Sequence, residues 1–286
     1  MLTKSIPLLP LPPFAKATGG KPPFATPLRP ASAEASAGRQ DYAGQEATGG
    51  RPPPFTHPVS TAAHDVVQNL RLLEPLGIAA DLKTARYEFP LTPDDRAEAD
   101  AWLAKHTLGN RTLIGLHPGS YGDLAYKRWP AERFAELGDL LSATHDATVL
   151  VFGGSEEHQI KSEVAARMHA PSVIVEVPLR VTAALIARCV CFVSNDSGLM
   201  HLAVSQSIPT FGLFGPTDER RTAPWGPYGH VIRAADTAPT YDVHRQSHNR
   251  EQTSDPSLLA LPTEIVFDQV SQVVSSQTVN AGRRKE

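Results

Sequence analysis

A chain of 286 residues with 41% apolar and 20% charged residues has the make-up of a soluble globular protein that buries a core. Its net charge of -3 at pH 7 excludes a broadly basic nucleic-acid-binding surface. No stretch reaches the roughly 18–20 continuous apolar residues of a membrane span.

Twelve of the 26 prolines fall before residue 60, with runs of Ala, Gly and Ser. The first apolar run, up to Phe14, is broken by Pro7, Pro10, Pro12 and Pro13, which a helical export signal tolerates poorly. Ala17-Thr18-Gly19-Gly20-Lys21-Pro22-Pro23-Phe24 nearly repeats as Ala47-Thr48-Gly49-Gly50-Arg51-Pro52-Pro53-Pro54-Phe55. With no period of 2 or 3.6 and little apolar mass, residues 1–60 are expected to form a disordered low-complexity tail. A proline-rich ligand for a partner domain is the functional alternative for this tail.

Residues 61–110 read as helical. Val66, Val67, Leu70, Leu73 and Leu76 recur at spacings of three or four and stop at Gly77. Thr92 as N-cap, Pro93 at the first position and Asp94 and Asp95 in the first turn predict a second helix to about His106. From Thr112 short apolar strands alternate with helices. Strands are predicted over Thr112–Leu116, Ala147–Phe152, Val173–Val177, Val190–Ser194 and Thr210–Leu213. Helices are predicted over Pro130–Leu141, Glu156–Met168, Val181–Ala187 and Ser197–Ser205. Cys189 and Cys191, two apart, would share a face of one strand. They are too close for a comfortable disulfide and too few for a zinc site, which fits a reduced, cytoplasmic setting. Continuous apolar strands alternating with helices predict an α/β fold with a Rossmann-like, doubly wound parallel sheet over residues 111–276, then a polar tail over 277–286. Ligands in such a sheet sit beyond the carboxyl ends of the strands.

The segments after those strands carry the chemistry. They are His117-Pro118-Gly119-Ser120 with Lys127-Arg128-Trp129-Pro130; Gly153-Gly154-Ser155-Glu156-Glu157; Asn195-Asp196-Ser197-Gly198-Leu199-Met200-His201; and Phe214-Gly215-Pro216-Thr217-Asp218. Gly119 and Gly198 allow close backbone approach, and free amides at a helix start favour an anion. Ser120, Ser197 and Thr217 offer hydroxyl donors, Lys127 a positive charge, and Glu156 or Glu157 an acceptor for ribose hydroxyls. Val177 and Phe192 are candidates to lie under a base. Each feature has a plainer reading: Asp196 and Ser197 as helix caps, Lys127-Arg128 as a solvated pair, Gly153-Gly154 as a tight turn, Glu156-Glu157 as partners of a helix dipole, and His117, His201 and Trp129 as core residues. Their common position at one edge of one sheet favours a diphosphate site. No Gly-x-Gly-x-x-Gly follows a strand, which argues against an NAD enzyme.

These segments in this order resemble glycosyltransferase family 9, which includes the ADP-heptose:lipopolysaccharide heptosyltransferases, over about residues 60–235 and more loosely to 276. The resemblance implies the nucleotide-sugar-binding half of a GT-B enzyme that inverts the anomeric centre without a metal or other cofactor. The implied partners are a nucleotide-sugar donor, ADP-heptose, and a lipopolysaccharide core acceptor at the inner-membrane surface. It implies that Ser120 and Lys127 contact the diphosphate and Glu156 or Glu157 the ribose. Asp196, Ser197 and Gly198 would meet sugar and phosphates, with His201 in support and Gly215 and Thr217 bordering the pocket. The general base belongs to a first domain for which residues 1–60 carry no glycine-rich βα loop, so a truncated enzyme with impaired transfer is expected. The alternative is a non-catalytic nucleotide-diphosphate-binding fragment. Around 236–262, where several relatives have cysteines, this chain has Tyr241, His244 and His248.

Overall fold

A computed structural model describes residues 63–120, 124–240 and 253–283. The tail 1–60, its near-repeat, and Tyr241, His244 and His248 lie outside them. The elements run α1 (Asp65–Arg71), α2 (Pro93–Lys105), β1 (Thr112–His117), α3 (Ala131–His145), β2 (Ala147–Val151), α4 (His158–Arg167), β3 (Ser172–Ile174), α5 (Leu179–Ile186), β4 (Cys191–Asn195), α6 (Gly198–Ser205), β5 (Thr210–Phe214), α7 (Glu219–Thr222), β6 (Gly229–Arg233), α8 (Pro256–Leu259) and α9 (Thr263–Arg283). Among the described residues no helix is long and apolar enough to cross a membrane.

The strands form one parallel sheet in the order β3-β2-β1-β4-β5-β6. This is the doubly wound order that the strand–helix alternation predicts. Because side chains alternate along a strand, Ile114, Leu116, Val149, Val151 and Val193 face one layer, with Phe134 and Leu137 of α3 and Val266, Val270 and Val274 of α9. Leu113, Leu150, Phe152 and Phe192 face the other, with Ala99 and Leu103 of α2 and Leu185 of α5. The sheet is therefore buried on both faces, which is why its strands read as apolar runs.

The second helix forms where its cap signals place it. Thr92 Oγ1 accepts from the Asp95 N–H at 3.2 Å, and Asp95 accepts from the Thr92 N–H at 2.7 Å, a reciprocal capping box. Asp95 also accepts from Arg180 of α5 at 2.6 Å, which fastens α2 to the sheet's helical layer. The Arg180 and Thr92 hydrogen bonds hold the Asp95 carboxyl well below the usual carboxylate range. The first helix docks through His64 to the Ala223 carbonyl and through Asp65 to Arg221.

Three expectations need correction. The helix expected from Glu156 starts as a 3-10 turn over Ser155–Glu157, because Glu157 bends back to accept from the Gly154 N–H, and is α-helical only from His158. The third strand ends at Ile174; one further bond, Val175 N–H to Val151, precedes departure toward Pro178. Cys189 and Cys191 do not share a face. Cys189 follows α5 and packs with the α2 layer, whereas Cys191 on β4 packs with the α3 layer. Both are free and buried, and burial pushes the Cys191 thiol up to about 12. Two elements, β6 and α9, have no counterpart among the predicted ones. β6 is a short strand with only Val231 and Ile232 apolar, and α9 continues to Arg283, so the polar end is helical that far.

At the centre of the sheet Gly115 of β1 leaves room for the ring of Phe192, which lies 5.4 Å, centroid to centroid, from Phe152. A Cβ at 115 would collide with Phe192 and press on Phe152. Gly115→Ala is expected to lower stability by about 1–3 kcal/mol through overpacking. The check is a lower midpoint in urea unfolding with an unchanged slope; an unchanged midpoint would show that the rings repack freely.

Candidate functional site

The crossovers from β1 and β4 run in opposite directions from adjacent strands, so the segments after them diverge and leave a crevice at the sheet's carboxyl edge. Asn195, the last residue of β4 and fully buried, ties the loops together. Its amide donates to the Pro118 carbonyl at 2.9 Å and the Gly119 carbonyl at 3.1 Å, and its oxygen accepts from the Trp129 N–H at 2.9 Å. Trp129 is itself core, with its indole N–H on the Leu261 carbonyl. The next residue, Asp196, is 3.4 Å from Lys127 Nζ in a largely buried ion pair.

His117, at the end of β1 and 1% exposed, is the hub of a second network. Its Nε2 lies 3.1 Å from the Glu157 carboxylate and its Nδ1 3.0 Å from both Ser194 Oγ and Ser197 Oγ. Burial pushes the Glu157 carboxyl up. The hydrogen bond and charge of His117, the Gly154 N–H and the field of Arg128 outweigh it, and the carboxyl is held below its ordinary value. Gly119 is needed here, since a Cβ there would collide with this carboxylate, whereas Gly198 faces open space.

Above these residues lies a cavity of about 610 Å³. His117, Glu156, Glu157, Ser197, Gly198 and His201 line its polar part, and Phe89, Val177, Leu179, Leu199 and Leu202 its apolar part. Tyr87 stands edge-on to His201 at 5.3 Å. Burial pulls the His201 ring below the usual histidine range, and its Nδ1 is buried without a hydrogen-bond partner. Among the described residues no group of three or more His, Cys, Asp or Glu is placed to hold a metal ion.

The structure thus brings Glu156, Glu157, Ser197, Gly198 and His201 into one cavity, with Lys127 and Asp196 beside it. Ser120 is buried and committed within its loop, donating to the Leu124 carbonyl at 2.8 Å and accepting from Arg128 at 3.0 Å. Gly215 and Thr217 lie apart, after β5; Gly215 packs on Leu258 of α8, and both carbonyls accept from Arg233. Of the two apolar candidates for a base platform, Val177 lines the cavity and Phe192 is core. His117 and Asn195 stand in the chemistry-bearing segments of the sequence but carry no assigned role there, and Ser194, Tyr87 and Phe89 are not singled out. His117 and Asn195 each directly follow a predicted strand and end an observed one, a signal available in the sequence; Tyr87 and Phe89 precede α2, and only the fold brings them near.

A family model described as glycosyltransferase family 9 (heptosyltransferase) matches residues 53–252. Lipooligosaccharide heptosyltransferase 2 of Haemophilus influenzae is 27% identical over 205 residues, which covers 69% of this chain and 58% of that protein. Among solved structures, a glycosyltransferase family 9 protein from Veillonella parvula has a TM-score of 0.64 and 25% identity, covering 75% of this chain and 60% of that one. An Escherichia coli ADP-heptose lipopolysaccharide heptosyltransferase II has a TM-score of 0.55 at 24% identity, covering 67% and 54%. The chain spans little more than half the length of these relatives.

Asn195→Ala would leave the Trp129 N–H and the Pro118 carbonyl unpartnered in a buried setting. Each such group costs about 1–3 kcal/mol. The variant is expected to lose stability on that scale in denaturant unfolding; a wild-type midpoint would mean that other groups close the loops.

Proposed function

Since the chain belongs to glycosyltransferase family 9, the heptosyltransferases, we propose that its cavity holds the sugar-nucleotide donor of a metal-independent, inverting heptosyl transfer to a lipopolysaccharide core acceptor. The observation that carries this reading is the meeting of Ser197, Gly198, Glu156 and His201 in one crevice at the strand-order reversal. Anions bind at helix starts because the first N–H groups have no intrahelical acceptor. Here α6 begins at Gly198, with Ser197 as its N-cap and with open space in front of Gly198. The donor's diphosphate would sit there, with Lys127 supplying positive charge and Ser120 shaping the loop that carries it. Asp196 would hold Lys127 in place.

For the ribose the two adjacent carboxylates are not equivalent. Glu157 already accepts from His117 and Gly154, whereas Glu156 lines the cavity without those ties. Glu156 is therefore the proposed ribose acceptor. The apolar wall of Val177, Leu179 and Phe89 would receive the base, and the donor proposed is ADP-heptose.

In such a transfer the acceptor hydroxyl attacks the anomeric carbon while the nucleoside diphosphate departs with the bonding electron pair. Preorganised N–H groups and a lysine facing that leaving group stabilise the charge it gains. The reaction also needs a base within about 3 Å of the acceptor's proton. Glu157 is committed to His117, Asp196 to Lys127 and Glu88 to Arg86, so none of the three is proposed as that base. The described residues are proposed to bind the donor and stabilise its leaving group. Transfer by the described residues alone is expected to fall below detection, and the proposed setting is the cytoplasmic face of the inner membrane.

Titration with ADP, UDP and GDP followed by thermal unfolding tests the reading. At 100 times the dissociation constant a ligand stabilises by about 2.7 kcal/mol. ADP is expected to raise the melting temperature above the other two, with EDTA making no difference, and Lys127→Ala to weaken binding about tenfold or more. If no nucleotide shifts the transition, the donor-site reading is wrong.

A further inference from the structure

The network around His117 sets a proton count that bears on the donor site. Ser194 Oγ lies 2.7 Å from the Asn195 carbonyl, which can only accept, so the Ser194 hydrogen is committed there. Ser194 Oγ, Ser197 Oγ and His117 Nδ1 form a triangle with 3.0 Å sides. On its other side His117 Nε2 faces the Glu157 carboxylate, which accepts but does not donate while ionised, so Nε2 carries a hydrogen. With Nδ1 bare, the triangle contains a single hydrogen, that of Ser197. It must turn inward, and the lone pairs of Ser197 Oγ then face the cavity. With Nδ1 protonated, the imidazolium donates into the triangle, and the Ser197 hydrogen is free to point outward.

Resting on the donor-site reading above, we infer that His117 is a positioning residue. When the donor is bound it carries both ring protons, held by Glu157, and turns the Ser197 hydroxyl outward as a hydrogen-bond donor to the diphosphate. The added proton comes from solvent as the ligand enters. The anion favours it twice, through the hydroxyl it gains and through the positive charge behind that hydroxyl. The charged and titratable groups around the ring support this. Glu157 touches it, Arg128 acts on Glu157 from the β1 loop, and Glu156 and His201 line the same cavity. The Lys127–Asp196 pair adjoins Ser197, and Lys161 lies under Gly153, donating to its carbonyl at 3.2 Å. Glu157, although adjacent to the proposed ribose acceptor, thus acts through His117 and not on the ligand.

The experiment is calorimetric titration of the full chain with ADP at about pH 8, where the terminal phosphate, with its last ionisation near 6, is already fully ionised. It is repeated in buffers of different ionisation enthalpy to count protons. Wild type is expected to take up a substantial fraction of one proton per ADP bound. His117→Gln and Glu157→Gln are expected to take up none and to bind about tenfold or more weakly. Ser197→Ala, which leaves the ring and carboxylate in place, is expected to bind more weakly and to lose most of the uptake. Because three variants test one count, misfolding of any one leaves the others decisive. ADP binding by wild type without proton uptake, or uptake that persists in Glu157→Gln, overturns the role of His117 and leaves the donor site standing. Failure of wild type to bind ADP at all sinks the donor site, and this inference with it.

Discussion

A parallel sheet whose crossovers reverse direction between adjacent strands leaves two strand ends with polar backbone groups and no neighbour to receive them. At the junction of β1 and β4 the side chain of Asn195 takes that role, joining Pro118, Gly119 and Trp129 out of contact with water. Buried polar groups left unpaired are costly, so one residue holds both loops and the start of α3 in a single arrangement. Everything proposed for the cavity depends on this fixed geometry, because the helix start at Gly198 and the loop at His117 face each other only while it holds.

The charges beside this clamp are handled in two ways. Glu157 and His117 are nearly inaccessible and make several hydrogen bonds each, so neither is left unpaired in the interior. Lys127 and Asp196 are also largely buried, but the lysine is a compact charge on a flexible stem, the charge proposed above to face the diphosphate while Asp196 holds it. One pair therefore sets geometry, while the other offers charge. Lys161 adds support from below: its fully buried side chain reaches the Gly153 carbonyl and Glu176, fixing the turn that presents Glu156.

The wall of the cavity has a different origin. Tyr87, Glu88 and Phe89 come from the extended segment before α2, which is held to the sheet layer by Arg180 on the Pro90 carbonyl at 2.9 Å and by Gln206 on the Phe89 carbonyl at 3.0 Å. The same Arg180 that pairs with the capping Asp95 thus also places Phe89, its guanidinium lying 5.4 Å from the ring centre. Helix capping and pocket shape share one residue.

Local signals in the sequence determined the helix caps at Thr92 and Pro93, the apolar strands, their parallel winding and the edge of the sheet at which function-bearing loops lie. Those properties follow from short-range rules of period, capping and turn chemistry. The resemblance to family 9 rests on the same loop segments. Which residues in those loops face a ligand was decided only by tertiary structure. Ser120 turns into its own loop, Gly119 makes room for Glu157 and not for a ligand, Gly215 packs on Leu258 of α8, and His117 joins Glu157 to Ser197 across residues 40 and 80 positions distant. The edge strand β6 and the separation of Cys189 from Cys191 onto opposite layers were decided there too. Such outcomes depend on which hydrogen-bond partners remain unclaimed once the sheet has formed, a quantity no local pattern contains.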